Sequence, residues 1–168
     1  MQFVVVVVLQ WGCLPLLQAA TLAIPPAQAS LLNKWLQGAP DYRLATMQDC
    51  ACVAEVDAVR KGGGAFQPVP DYLPFYVAGR FDGTPGFAAL VVKQNAPFEA
   101  RILVFSAVPA RAPAVLRYPF AADTSLESMG LFKKPKRNRP DELLIGTFGS
   151  EAEVVRVPGA ASRSGMRR

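Results

Sequence analysis

From Phe75 to Val157 the chain reads as short apolar segments (75–81, 87–93, 101–108, 114–120, 142–148 and 153–157). Most of the links between them are too short for a parallel crossover, which needs a dozen or more residues, so antiparallel pairing is expected. In Phe87–Val92, Ile102–Ala107 and Leu143–Phe148 apolar residues fall on both parities. Strands of that kind are covered on both faces. Val115, Arg117 and Pro119 alternate with Leu116, Tyr118 and Phe120, as on a strand with one wet face. The short 153–157 segment has the mixed polarity of an edge strand.

Upstream, helical spacing replaces alternation. Ser30 is placed to cap a helix bearing Leu31, Leu32, Trp35 and Leu36, with Gly38 and Pro40 as its stop. Asp49 is placed to cap a second, with Val53, Val56 and Val59 on one side and Gly62-Gly63-Gly64 beyond. Pro68, Pro70 and Pro74 keep the connector that follows extended. The expectation is an α+β fold: two short N-terminal helices packed on a five- to six-stranded, mainly antiparallel sheet, in a single domain over 30–158.

The amino terminus carries an apolar run from Phe3 to Leu17, followed by the small-x-small site Ala27-Gln28-Ala29. That pattern predicts a signal peptide, 1–29, cleaved after Ala29, and a periplasmic or secreted protein with no transmembrane span in its mature chain. No Lys or Arg precedes the run, and retention as an anchor is the alternative, although the run is short beside the ~20 residues of a spanning helix. Cys13 would leave with the leader, and Cys50 and Cys52 would remain as a candidate disulfide.

Histidine is absent, which removes Ser-His and Cys-His nucleophile pairs and imidazole metal ligands. The formal charge is +5, but it is concentrated. Lys133, Lys134, Lys136, Arg137 and Arg139 form one run, and Arg163, Arg167 and Arg168 lie in a tail (159–168) expected to be disordered. Without those eight, ten basic residues face thirteen acidic ones. A dedicated nucleic-acid-binding face would spread its charge along an element, so a specific nucleic-acid partner is not expected. The 133–139 run is instead a candidate anion-binding loop, for lipid headgroups or nucleic-acid phosphate, or a solvated loop that aids solubility.

Cys50-Ala51-Cys52 invites a redox reading, since two neighbouring thiols at a helix start can form a reactive couple. Residues i and i+2 of a helix point about 200° apart, so a bridge requires a turn there. Phe66, Tyr72, Phe75 and Tyr76, gathered around the prolines, are candidates for a peptide- or glycan-binding groove, or else for covering one end of the sheet. Asp49, Asp71 and Asp82 sit near expected turns and are explained by capping and turn formation without acid–base work. No phosphate-cradling or nucleophile-elbow motif occurs.

One stretch carries a family likeness. Tyr76-Val-Ala-Gly79-Arg80-Phe81-Asp82-Gly83-Thr84-Pro85-Gly86-Phe87-Ala88-Ala89-Leu90 resembles the strand–loop–strand unit of FG-GAP and VCBS repeats. The match lies at Gly79, Phe81, Gly83, Phe87 and Ala88. The calcium ligands of those repeats are missing: Arg80 replaces the first acid and the loop is two residues shorter. Calcium takes six to eight oxygens, so the resemblance implies a hairpin with inward phenylalanines and no metal. The chain is also similar in character to small exported bacterial proteins that contain a single such unit. Together these readings point to a non-catalytic exported binding or envelope-associated accessory protein that needs no cofactor, its partner an unknown protein, peptide or glycan. A periplasmic thiol–disulfide protein using Cys50 and Cys52 is one alternative, and an anionic-surface binder using the basic run is another.

Overall fold

A computed structural model describes residues 24–63, 67–94, 99–106, 112–117, 126–149 and 152–158. The expectations for residues 1–23, for Phe66 and for the 159–168 tail fall outside the described residues.

The first element among the described residues is helix α1 (Pro26–Gly38), and strand β1 (Tyr42–Leu44) follows. A single helical turn, α2 (Met47–Cys50), then precedes α3 (Val53–Lys61). β2 (Tyr76–Gly79), β3 (Gly86–Lys93), β4 (Ala100–Ser106) and β5 (Ala114–Arg117) belong to one sheet, together with β1. β6 (Met129–Lys134), β7 (Glu142–Thr147) and β8 (Glu153–Val155) form a second. Every pairing is antiparallel. The architecture is therefore α+β, with three helices and two sheets among the described residues where two helices and one sheet were expected.

β3 is the hinge of the larger sheet. One of its edges pairs with β4 along nearly its whole length, Gly86 opposite Ser106 and Val92 opposite Ala100. The other edge is shared end to end, β2 covering Gly86–Ala89 and β1 covering Val91–Lys93. Gly86 is required here, because a Cβ would run into the backbone carbonyl of Phe105 on β4.

The two-parity apolar pattern of β3 and β4 is explained by a layer on each side. On one face Ala88, Leu90, Val92, Ile102 and Val104 meet Leu131, Leu143 and Ile145 of the small sheet, with Val56 and Val59 of α3. On the other, Phe87, Ala89, Val91, Leu103 and Phe105 are covered by Leu32, Trp35 and Leu36 of α1 and by Ile24 before it. Phe81 and Phe87 both point inward, Phe81 to the first cluster and Phe87 to the second.

α1 begins four residues before the expected Ser30 cap. Pro25 occupies the cap position and Pro26 the first helical one, where a fixed φ favours the helix and the missing N–H costs nothing. Ala27-Gln28-Ala29, the expected cleavage site, consequently lies in the first turn of α1, and Tyr76 hydroxyl donates to Gln28 Oε1. Leu31, expected on the packed stripe, is exposed. No described helix is long and apolar enough to cross a membrane.

Candidate functional site

The basic run lies at the tip of the β6–β7 hairpin. Strand pairing carries Lys133 opposite Leu143 and Lys134 opposite Glu142, so both lysines belong to β6 and not to a loop. The turn that follows is bracketed by Pro135 and Pro140 and bends at Asn138, whose φ of 60° lies in the left-handed region that Asn tolerates.

Asp141 fastens this tip to the rest of the fold. Its Oδ2 accepts the backbone N–H of Arg80 at 2.9 Å and its Oδ1 that of Lys136 at 3.3 Å. Its own N–H donates to the Arg80 carbonyl at 3.1 Å. The β2–β3 loop is thereby stitched to the hairpin, and a Cβ on Gly83 would meet Pro140 at 3.9 Å. The stitching brings Arg80 into the cluster. No local pattern in the sequence announces this, because the link is made by Asp141 across 61 positions.

The electrostatics distinguish this end from the rest of the surface. Elsewhere most described cations meet carboxylates, Arg43 with Asp49, Arg60 and Lys61 with Asp57, and Lys93 and Arg101 with Glu99, while Lys34 and Arg156 stand singly without an ion pair among the described residues. At the tip Lys136 alone is so engaged, its Nζ 2.8 Å from Glu142 Oε1. Lys133, Lys134, Arg137 and Arg139 are exposed and have no ion-pair partner among the described residues. Arg80 is exposed as well, its guanidinium donating only to the Gly83 carbonyl at 3.2 Å.

The cysteines are disposed differently from either helical expectation. Cys50 ends α2, Cys52 holds the cap position of α3, and Ala51 between them takes φ 49°, ψ 29°. That left-handed residue turns the two side chains toward one another, with Cα atoms 5.0 Å apart and the sulfurs within bonding reach as a disulfide. Both residues are fully buried in the main core. Asp49 is not a helix cap but the third residue of α2. Its Oδ2 accepts the backbone N–H of Thr46 at 2.7 Å, and Arg43 clamps both oxygens at 2.6 and 2.7 Å. The Arg43 guanidinium, opposed by burial, holds the Asp49 carboxyl below its ordinary value.

The connector aromatics among the described residues, Tyr72, Phe75 and Tyr76, pack against the sheets. Phe75 and Tyr72 are buried in the main core. The Tyr72 hydroxyl lies against Gly130 and donates to the Leu131 carbonyl at 3.2 Å, while its ring stacks on Phe132 at 5.5 Å and meets Phe148 edge-on at 6.0 Å. Burial pushes its phenol far above the ordinary value. Tyr76 packs against Phe87 on the opposite face. These three rings cover the two sheets, the other reading the sequence offered for them, while Phe66 lies outside the described residues.

The three aspartates each have a separate local environment. Asp82 Oδ1 accepts the Thr84 N–H at 2.9 Å and the Thr84 hydroxyl at 2.7 Å, and Thr84 contacts the Ser106 hydroxyl at 2.8 Å. Burial raises the Asp82 carboxyl, but hydrogen bonds from Thr84 and Ser106 outweigh it and leave the group below its ordinary value. Asp71 is exposed within the connector. Among the described residues no three His, Cys, Asp or Glu side chains converge as a metal-ligand set.

The chain matches no family model, no curated protein and no solved structure. The site therefore stands on its own geometry.

Proposed function

We propose that this chain is a non-catalytic binding module, exported or envelope-associated, whose contact surface is the cationic end formed by the β6–β7 hairpin tip and the β2–β3 loop. Its ligand is anionic. The observation that carries the reading is the set of exposed cations Lys133, Lys134, Arg137 and Arg139, without a carboxylate partner among the described residues, on a hairpin tip held in place by Asp141. A purely solubilising loop has no need of such fixation, whereas a binding surface gains from it, because ordering is completed before the ligand arrives.

The thiol–disulfide alternative is disfavoured by access. Exchange begins with attack of a thiolate on a disulfide sulfur, and both Cys50 and Cys52 are shut away from solvent. A catalytic role for Asp49, Asp71 and Asp82 is disfavoured by their separate environments. The apolar leader supports an exported setting.

Retention on immobilised heparin over a salt series tests the reading. Affinity should fall linearly in log–log form as salt rises, as counterion release demands. A variant with Lys133→Gln, Lys134→Gln, Arg137→Gln and Arg139→Gln should elute at clearly lower salt. Absence of retention, or retention indifferent to salt, would overturn the proposal.

A further inference from the structure

The two ends of the molecule differ in a way that identifies the anion. α1 lies along β3, and its direction is fixed at both ends. Gln28 reaches Tyr76, whose ring is 5.7 Å from that of Phe87 near the start of β3. Trp35 meets Tyr42, the partner of Lys93 at the end of β3, and the Pro40 carbonyl accepts from Gln94 at 3.1 Å. The amino end of α1, with Ile24 packed ahead of it, therefore lies toward Gly86, where the β2–β3 loop and the cationic tip also are. The sequence entering the fold there is apolar, and the first charged residue of the whole chain is Lys34.

Resting on the anionic-ligand reading above, we infer that this end of the molecule sits on the surface of an anionic phospholipid bilayer, the exposed cations on headgroup phosphates, with the uncharged, apolar sequence ahead of Ile24 as a second source of membrane affinity. A single weak hydrophobic attachment holds a protein reversibly, and a polybasic patch beside it makes the attachment firm. Here Ile24, where the described residues begin, lies toward the same end of the fold as the cations. The position of the Ala27-Gln28-Ala29 site favours an apolar stretch that stays attached: it is wound into the first turn of α1, and Gln28 is engaged by Tyr76. A peptidase that needs extended substrate has no access to that turn once α1 has packed. Nucleic acid fits the same surface less well, because the aromatic rings beside it are packed inward: Phe81, next to Arg80, is buried, and Phe132 stacks on Tyr72.

The test uses the full chain, synthesised in the presence of vesicles and recovered by flotation. One set of vesicles is neutral phosphatidylcholine, the other an equal mixture with phosphatidylglycerol. Hydrogen exchange is then compared at the two ends. On anionic vesicles, amides in 80–85 and 133–141 should slow, while those in 38–41 and 93–94 at the far end should not. Polybasic attraction contributes about fivefold in affinity per basic side chain, so the fourfold Gln variant should lose ~100-fold or more of the anionic preference. Raising salt until the screening length falls to about 3 Å should abolish the preference too.

Equal flotation on both vesicle types with no slowing at the tip would overturn the inference, leaving the apolar stretch as the sole attachment. Retention on heparin or short duplex DNA with no tip protection on vesicles would also overturn it, while sparing the anionic-ligand reading. Failure on vesicles and polyanions alike would overturn both.

Discussion

Asp49 and Arg43 form the most completely engaged ion pair of the described surface, two hydrogen bonds of 2.6 and 2.7 Å plus the Thr46 amide. The Asp49 carboxyl titrates below its unfolded value. Its contribution to stability is thus fully present above the unfolded value near pH 4 and is lost as pH falls through the lower folded one. Asp82, also depressed, acts in the same direction. Arg43 is 43% exposed, so solvent screening keeps the pair to about 1 kcal/mol. Urea unfolding at neutral pH should find Asp49→Asn less stable by about that amount, and the difference should vanish well below the folded value of the wild-type carboxyl. An equal deficit at both pH values would mean that packing, not charge, is what the substitution removes. The sequence marked Asp49 as a residue that organises a helix start, but placed it at the cap. The side chain does bond back to the start of the turn, three residues from where the pattern put it. Its principal partner, Arg43, lies on a three-residue strand too short for any periodic signal.

At the scale of elements, the junction of α2 and α3 turns on Ala51. An L-residue with φ 49° bears the steric cost of the left-handed region, about 1–2 kcal/mol for a residue with a Cβ. The disulfide across it closes a loop so short that the chain-entropy argument assigns it only roughly 1.5 kcal/mol. Ala51→Gly should relieve the backbone and raise the midpoint of unfolding, by about 0.5–1 kcal/mol after the greater freedom of unfolded Gly is subtracted. Ala51→Val, β-branched in the same conformation, should lower it by more. A Gly variant no more stable than wild type would show that the surrounding core, and not the bridge geometry, sets this turn. The Cys-x-Cys spacing had already required a break in the helix if the two sulfurs were to meet. Strand β6 was not legible in the same way. Met129–Lys134 carries a glycine and two lysines, which read as loop. Gly130 is there because Tyr72 lies on it, a contact made from 58 residues away and invisible to any local window.

For the whole molecule, the strands themselves were readable but their partners were not. Both-parity apolar segments showed that β3 and β4 are covered twice, yet nothing in them told whether the second cover is helix or sheet, so one sheet was expected where there are two. The answer has consequences for how the fold opens. The cover between the two sheets is large and includes the disulfide and α3, whereas among the described residues the opposite face is covered by α1 and its flanks. Of α1, Leu32 alone is buried. α1 should therefore detach from the sheet at a free energy below that of global unfolding, as a separate cooperative unit. Native-state hydrogen exchange in low denaturant resolves this. Amides of α1 should follow a shallow isotherm, and those of Leu90 and Ile102 a steep one that reports complete unfolding. Ile102→Ala supplies the decisive comparison, because Ile102 lies between the sheets and stays packed when α1 leaves. It should lower protection on β4 by about 2–5 kcal/mol, the usual range for such a truncation, and leave the α1 isotherm where it was. If α1 and β4 instead share one isotherm, and both fall together in the Ile102→Ala protein, the helix is an integral part of a single cooperative unit and the two faces of the sheet do not differ in strength.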